Sequence, residues 1–270
     1  MGDDHTRPTV WRWATLALVG CAIAARAVAP ATPAPRSLAV AAAADLQFAM
    51  TDLVTQFHAQ HPNIAVAATY GSSGNLYAQL SQGAPFDLFF SADAEFPARL
   101  AADGLTVPNS EVVYGMGRLV LWVPRGSPLD VQRFGMTVLT QPAARRIAIA
   151  NPTHAPFGRA AEAALRTLGV FDRVRAKLVF GEHIAQAAQF VQAGAADIGI
   201  LALSLAMAPP MREAGAYWEV PASGYPTMRQ AGVIMRSARD RAAAQQFRDF
   251  VGGATGQAVL ARYGFTRSTE

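Results

Sequence analysis

A short segment at residues 71–75, with the sequence GSSGN, holds the residue types best suited to ligand chemistry. Its two hydroxyls, on Ser72 and Ser73, directly precede an amphipathic run in which Leu76 and Leu80 recur at helical spacing. The start of a helix presents unpaired backbone N–H groups and a positive dipole end, and glycine lets a backbone approach a ligand closely. The segment therefore predicts a site that holds an anion with neutral donors. The alternative is that Ser73 only caps its own helix.

Five further motifs extend this segment into a pattern that covers most of the chain. They are VAAAADL at 40–46, SQGAPFDLFFSAD at 81–93, NPTHAPFG at 151–158, GAADIGI at 194–200 and GQAVLARYGF at 256–265. In this order they resemble periplasmic molybdate-binding proteins, the substrate-binding components of ABC importers. The likeness is greatest to the branch with GSSG in the first loop. It implies a protein that captures molybdate, and also tungstate, and delivers it to a membrane permease.

Composition limits the other classes of function. Of the 270 residues, 51% are hydrophobic and 16% charged, which is ordinary for a globular protein with a real core. The net charge of +4 suits an anionic ligand, but the arginines are scattered rather than clustered, so we expect no nucleic-acid partner. The single cysteine excludes an internal disulfide and a Cys-rich metal site. We expect no cofactor and no metal apart from the molybdate oxyanion, and a monomer that binds one anion.

Residues 1–36 have the pattern of an export signal and leader rather than of a folded domain. Two arginines precede an apolar run at 13–25, which is shorter than the roughly 20 residues of a bilayer span. The sequence ending at Cys21 resembles a lipobox, which would leave a lipoprotein anchored through that residue. A small-residue site at 25–27 would instead release a soluble periplasmic protein, and we favour this route.

Strands and helices alternate along the rest of the chain, which predicts an α/β protein with parallel sheets. The resemblance implies a two-lobed periplasmic-binding-protein fold (type II) with the ligand in the interlobe cleft. Lobe I would comprise 37–117 plus 226–270, and lobe II 118–225. Since no linker separates these segments, we expect the chain to cross between lobes within strands, and we interpret 114–123 as one long strand.

A fully deprotonated tetrahedral oxyanion offers only hydrogen-bond acceptors, so its site should contain donors. The resemblance places two donor loops in each lobe, with Phe157 and Ile184 contributing backbone N–H groups. Ala202 falls where many relatives carry a donor tyrosine. The candidate ligand-binding residues are Asp45, Ser73, Phe157 and Ile184, together with Ala44 and Ser72. The histidines lack metal-ligand spacing, and we interpret His154 and His183 as surface or loop-structural residues.

Asp45 is the main departure from the family pattern, because relatives carry Ser or Asn at that position. A carboxylate aimed at a dianion would repel it, so we expect Asp45 to cap the first helix and to offer only its backbone N–H. An inward Asp45 would instead accept a proton from hydrogen phosphate or arsenate. A receptor for another tetrahedral oxyanion, such as phosphate, arsenate or sulfate, is therefore the alternative.

A serine hydrolase acting through Ser73 is the alternative from another class of protein. The segment 71–75 is not a G-x-S-x-G elbow, and no Asp/His pair follows in a recognisable order. We therefore predict a binding protein and not an enzyme. An extracellular interaction module is the least favoured reading, because it would not need four donor loops at helix starts.

Overall fold

The structure, a computed structural model, describes residues 36–267. The predicted signal and leader cover residues 1–36; residues 1–35, with the lipobox, lie outside that range, whereas Arg36 is the first residue of β1. The strands are β1 (Arg36–Ala43), β2 (Ile64–Gly71), β3 (Leu88–Ser91), β4 (Val112–Gly117), β5 (Leu119–Pro124), β6 (Ile147–Ala150), β7 (Leu178–Gly181), β8 (Ile198–Ala202), β9 (Gly215–Glu219) and β10 (Met228–Ile234).

The helices alternate with these strands. They are α1 (Gln47–Gln60), α2 (Ser73–Ser81), α3 (Glu95–Ala102), α4 (Val131–Phe134), α5 (Pro156–Thr167), α6 (Phe171–Val174), α7 (Ile184–Gln192), α8 (Leu203–Ala206), α9 (Pro209–Arg212), α10 (Arg241–Gly252) and α11 (Ala254–Arg262). Short 3₁₀ turns lie at Ala44–Leu46, Gly135–Thr140, Arg175–Lys177 and Ala222–Gly224. None of the helices within 36–267 is long and apolar enough to cross a membrane.

Two five-stranded sheets form the framework, in the orders β2-β1-β3-β10-β4 and β7-β6-β8-β5-β9. In each sheet four strands run in the same direction and one runs against them: β10 is antiparallel to its neighbours β3 and β4, and β5 is antiparallel to its neighbours β8 and β9. The predicted parallel arrangement therefore holds for four strands of each sheet and is wrong for β10 and β5. The chain enters β5 and β10 directly from the other sheet, so no crossover helix constrains their direction.

The segment 114–123, where we expected the chain to cross between lobes inside one long strand, consists of two strands that belong to different sheets. β4 ends at Gly117 in the first sheet and β5 begins at Leu119 in the second, with Arg118 between them. The chain returns between β9 and β10. Both strands are apolar enough to be buried, so hydropathy alone could not show the division. We infer that the two sheets are the cores of the two expected lobes.

Helical periodicity correctly identifies the face by which α1 packs on the first sheet. Leu46, Met50, Leu53 and Phe57 are all buried in one hydrophobic cluster, as their spacing predicts. The ring of Phe57 packs edge-on against Phe247 of α10, with ring centroids 4.9 Å apart. This packing anchors α1 and thereby orients the 3₁₀ turn before it.

Candidate functional site

The carboxyl ends of strands from both sheets meet at one small pocket, where sheets of this kind hold their ligands. The pocket is small: its cavity volume is about 10 Å³, far below the roughly 300–1,000 Å³ typical of pockets for larger organic ligands. Its lining comprises Ala43, Ala44, Asp45, Gly71, Ser72, Ser73, Ala92, Ala155, Pro156, Phe157, His183 and Ile184. All six candidate residues predicted from the sequence are in this set.

Three helices begin at the pocket, and three of the six candidate residues occupy their first turns. Ser73 is the first residue of α2 and Ile184 the first of α7, while Phe157 follows Pro156 at the start of α5. N–H groups in a first turn have no acceptor within their own helix. Proline is tolerated at the first helical position because its missing N–H would have no partner there. These starts direct backbone donors and positive dipole ends toward one volume.

The two serine hydroxyls are held in place by partners outside α2. The Ala92 N–H donates to Ser73 Oγ at 3.0 Å, which leaves the single proton of that hydroxyl available to another acceptor. Ser72 Oγ lies 2.9 Å from Nδ1 of His154. Ser72 is the N-cap residue of α2, but neither hydroxyl makes a side-chain cap. The reading in which Ser73 only caps its own helix is therefore wrong.

Asp45 does not cap α1, so the predicted outward cap is wrong. It lies inside the 3₁₀ turn Ala44–Leu46, and the N-cap position of α1 is occupied by Leu46 without a side-chain bond. The carboxyl is buried, its Oδ2 accepts a 2.9 Å hydrogen bond from Nε2 of Gln230, and its Oδ1 has no protein partner. Burial raises the pKa of Asp45 to about 7, and the bond from Gln230 opposes part of that rise.

Sequence reasoning missed the contributions of two histidines. His183 lines the pocket, and its Nδ1 accepts a 3.2 Å bond from the Gln186 N–H, so it caps α7. Burial lowers the pKa of His183, while Glu182 opposes that shift, and the ring is therefore neutral at pH 7. His154 contacts Ser72 and accepts the Gly74 N–H at its carbonyl oxygen, 3.0 Å away. The Pro-bounded loop at 151–156 was the signal for the role of His154, and the position of His183 directly before α7 was the signal for its cap.

Several contacts join the two halves of the molecule across the mouth of the pocket. Besides the contacts of His154, Asn75 Nδ2 donates to Glu182 Oε1 at 2.5 Å, and Arg159 forms a 2.6 Å ion pair with Asp93. A larger cavity adjoins the pocket and shares Ala92 and Pro156 in its lining. These contacts show that the structure is a closed arrangement of the two halves.

The lining of the pocket contains neither lysine nor arginine. An anion there would be held by backbone N–H groups, hydroxyls and helix dipoles rather than by an ion pair. Within residues 36–267 no cluster of His, Cys, Asp and Glu has the arrangement of a metal site. The donor set suits the oxygens of a small oxyanion.

Ser72, His154 and Glu182 have the residue types of a hydrolase triad, but their geometry argues against catalysis. Nε2 of His154 lies 3.6 Å from Glu182 Oε1, which is too far for the hydrogen bond that orients a catalytic histidine. Ser72 is only 4% exposed and faces a pocket too small for an ester or peptide substrate. These residues are better explained as contacts that close the cleft.

Comparisons with known proteins place the chain among transport receptors. The model of a family described as bacterial extracellular solute-binding protein matches residues 38–266. The chain is 37% identical over 226 residues to the molybdate-binding protein ModA of Azotobacter vinelandii, which covers 84% of this chain and 88% of that protein. It is 36% identical over 200 residues to ModA of Rhodobacter capsulatus, with coverage of 74% and 77%.

Solved structures agree with the sequence comparisons. The periplasmic molybdate-binding protein of Azotobacter vinelandii superposes with a TM-score of 0.80 at 34% identity, covering 86% of this chain and all of that one. The sulfate-binding protein SubI of Mycobacterium tuberculosis superposes with a TM-score of 0.69 at 17% identity, covering 87% and 88%. The second likeness shows the fold alone.

Proposed function

The chain belongs to the bacterial extracellular solute-binding proteins, and from that premise we propose that its solute is molybdate. The observation that supports this most is the convergence of helix starts and two serine hydroxyls on one small pocket without cationic side chains. Relatives at 36–37% identity are named for molybdate binding. A fully deprotonated oxyanion offers only acceptors, which matches this set of donors.

Each candidate residue has a distinct part in this proposal. Ser73 donates its hydroxyl proton, because its oxygen already accepts the Ala92 N–H. Phe157 and Ile184 donate backbone N–H groups from the second half of the molecule. Ser72 contributes a second hydroxyl beside that of Ser73. Ala44 and Asp45 approach the anion from the end of β1.

Because the donors come from both halves, only a closed form can satisfy the anion fully. We propose that the protein captures molybdate, and also tungstate, as a monomer by closing the two lobes over it. It then delivers the anion to the membrane permease of an ABC importer. The family is extracytoplasmic, and release into the periplasm is the location that we propose for this member.

A thermal-shift panel with molybdate, tungstate, sulfate and phosphate tests the proposed solute. A ligand present at a thousandfold excess over its dissociation constant stabilises the native state by about 4 kcal/mol. Molybdate and tungstate should therefore raise the melting temperature clearly, at a 1:1 ratio by calorimetry. A shift with another anion and none with molybdate or tungstate would refute the assignment.

A phosphate or arsenate receptor is the second candidate, and the buried carboxyl of Asp45 favours it. An ionised Asp45 would repel a fully deprotonated dianion but could accept the proton of hydrogen phosphate. In the same panel, this candidate predicts stabilisation by phosphate in the wild type that is lost in Asp45→Ser. Equal molybdate binding by both proteins would argue against it.

A further inference from the structure

Asp45 is unusual among the residues that line the pocket, because one of its carboxyl oxygens is buried without a partner. Asp45 is 1% exposed, and only Oδ2 is bonded, to Nε2 of Gln230 at 2.9 Å. Gln230 is itself fully buried, and a Cβ on Gly117 would lie 2.6 Å from its Nε2. Because Gly117 has no side chain, the amide of Gln230 has room beside the carboxyl of Asp45. A buried oxygen without a partner carries a desolvation cost that a bound ligand or a proton can remove.

We propose that Asp45 binds the anion as a neutral carboxylic acid, donating the proton on its Oδ1, so that each molybdate is bound together with one proton. This inference rests on the proposed function and adds a binding role and a pH dependence to it. Because Gln230 donates to Oδ2, the proton of a neutral Asp45 lies on Oδ1, the oxygen without a protein partner. The acid then contributes a donor to a site that needs donors.

No opposite charge is available to keep Asp45 ionised. It takes part in none of the ion pairs among residues 36–267. Its neighbours on the elements packed against it are Gln230 of β10, Tyr114 of β4 and Ser204 of α8. The Oγ of Ser204 donates to the Asp45 carbonyl. Burial, with the charge of Asp45 adding to it, raises the pKa of Tyr114, so this phenol is neutral.

The remaining titratable groups near the pocket are committed to other partners. His183, at the start of α7, is neutral and accepts the Gln186 N–H. His154 contacts Ser72, and Arg159 pairs with Asp93. The pKa of about 7 for Asp45 follows mainly from burial, so a dianion placed beside it would raise that pKa further.

The inference predicts how affinity changes with pH. The neutral acid is the binding form, so affinity should be constant below pH 7 and fall as the free carboxyl ionises above it. Uptake of one proton per anion gives a loss of up to about tenfold in affinity for each pH unit above that value. From pH 6 to pH 9 the molybdate affinity of the wild type should fall by up to about 100-fold.

Asp45→Asn is the decisive variant, because asparagine has nearly the shape of a neutral aspartic acid and cannot titrate. Its carbonyl can accept from Gln230 while its amide donates to the anion. We expect D45N to bind molybdate with similar affinity at pH 6 and at pH 9. Calorimetry in buffers of different ionisation enthalpy should show close to one proton taken up per anion at pH 8 by the wild type, and close to none by D45N.

Asp103→Asn is the matched control, since it makes the same change of charge at an exposed residue remote from the pocket. It should keep the pH dependence and the proton uptake of the wild type. Asp45→Ser provides a second neutral variant if D45N does not fold, with the same expected flat profile.

The possible outcomes separate this inference from the proposed function. Molybdate binding by the wild type with no proton uptake and the same pH profile as D45N would overturn the inference and leave the proposed function intact. Binding by D45N but not by the wild type at any pH would also overturn it, because Asp45 would then remain ionised. Folded proteins that do not bind molybdate at any pH would refute both.

Discussion

Ser73 shows how one residue can be both structural and ligand-binding. Its oxygen accepts the buried N–H of Ala92, which ties the start of α2 to the end of β3. That bond fixes the position of the oxygen and leaves the proton free to point into the pocket. A hydroxyl that is oriented before the ligand arrives loses little freedom on binding.

We predict that Ser73→Ala weakens molybdate binding by about 10- to 150-fold, because a hydrogen bond to a charged group is worth about 1.5–3 kcal/mol. The free energy of unfolding should fall by about 1–3 kcal/mol as well, since the buried Ala92 N–H loses its acceptor. Calorimetric titration and urea unfolding measure the two effects. Ser81→Ala, at the exposed end of α2, is the control. An unchanged affinity in Ser73→Ala would remove this hydroxyl from the site.

The helices of this protein begin in two different ways, with or without a side-chain cap. α10, far from the pocket, has a carboxylate cap: Asp240 accepts from the Ala243 N–H at 3.0 Å and from Arg36 Nε at 2.5 Å. α2 and α5 have no side-chain cap, which leaves their first-turn N–H groups available at the pocket. α7 is intermediate, because His183 satisfies one N–H and leaves that of Ile184 free of a cap bond.

The cap of α10 should make stability depend on pH in the acid range. The bond from Arg36 lowers the pKa of Asp240 from 3.8 to about 2. Because the folded pKa lies below the unfolded one, this stabilisation is present above about pH 4 and is lost as pH falls toward 2. Asp240→Asn keeps a capping acceptor but loses the ion pair with β1. Its urea midpoint should be lower than that of the wild type at pH 7, and the difference should shrink toward pH 2.

The exposed Asp103→Asn should follow the wild-type urea midpoint throughout this pH range. The contrary result is a urea midpoint of the wild type that exceeds that of Asp240→Asn by the same amount at pH 7 and at pH 2. In that case the ion pair with Arg36 does not stabilise the protein through the ionisation of Asp240.

At the scale of the whole molecule, closure depends on backbone contact between the halves. Gly74 of α2 donates its N–H to the carbonyl of His154, and a Cβ at Gly74 would lie only 2.5 Å from that oxygen. Real Cβ atoms do not approach a backbone oxygen so closely, so any side chain at this position would hold the halves apart. The glycine is therefore required by the closed form and not by the fold of either half.

We predict that Gly74→Ala weakens molybdate binding by more than tenfold and hinders closure. Small-angle scattering should show a radius of gyration that decreases when the wild type binds molybdate and changes less in the variant. Ser81→Ala is the control in the same helix, because this exposed residue at the end of α2 is not part of the pocket lining. If Gly74→Ala binds and contracts like the wild type, the closed arrangement is not the one that holds the anion.

Much of the site could be predicted from the sequence, because its parts are local. The apolar face of α1, the serines at the start of α2 and the loops before Phe157 and Ile184 each depend on residues adjacent in the chain. The spacing of apolar residues and the residue types typical of helix starts predict such features directly. The family resemblance then indicated that they share one pocket, where the structure places them.

Only the tertiary structure decided what those residues touch. Gln230 lies 185 residues from Asp45, and His154 lies 82 residues from Ser72, so neither pairing leaves a local pattern. The segment 114–123 was expected to cross between lobes, but its continuous apolar pattern could not reveal that it divides into two separate strands. Whether Asp45 caps a helix or lies buried against an amide depends on which strand packs beside it. Local sequence determines secondary structure and donor chemistry, whereas burial and hydrogen-bond partners, which set the protonation of a carboxyl, arise only when distant segments pack together.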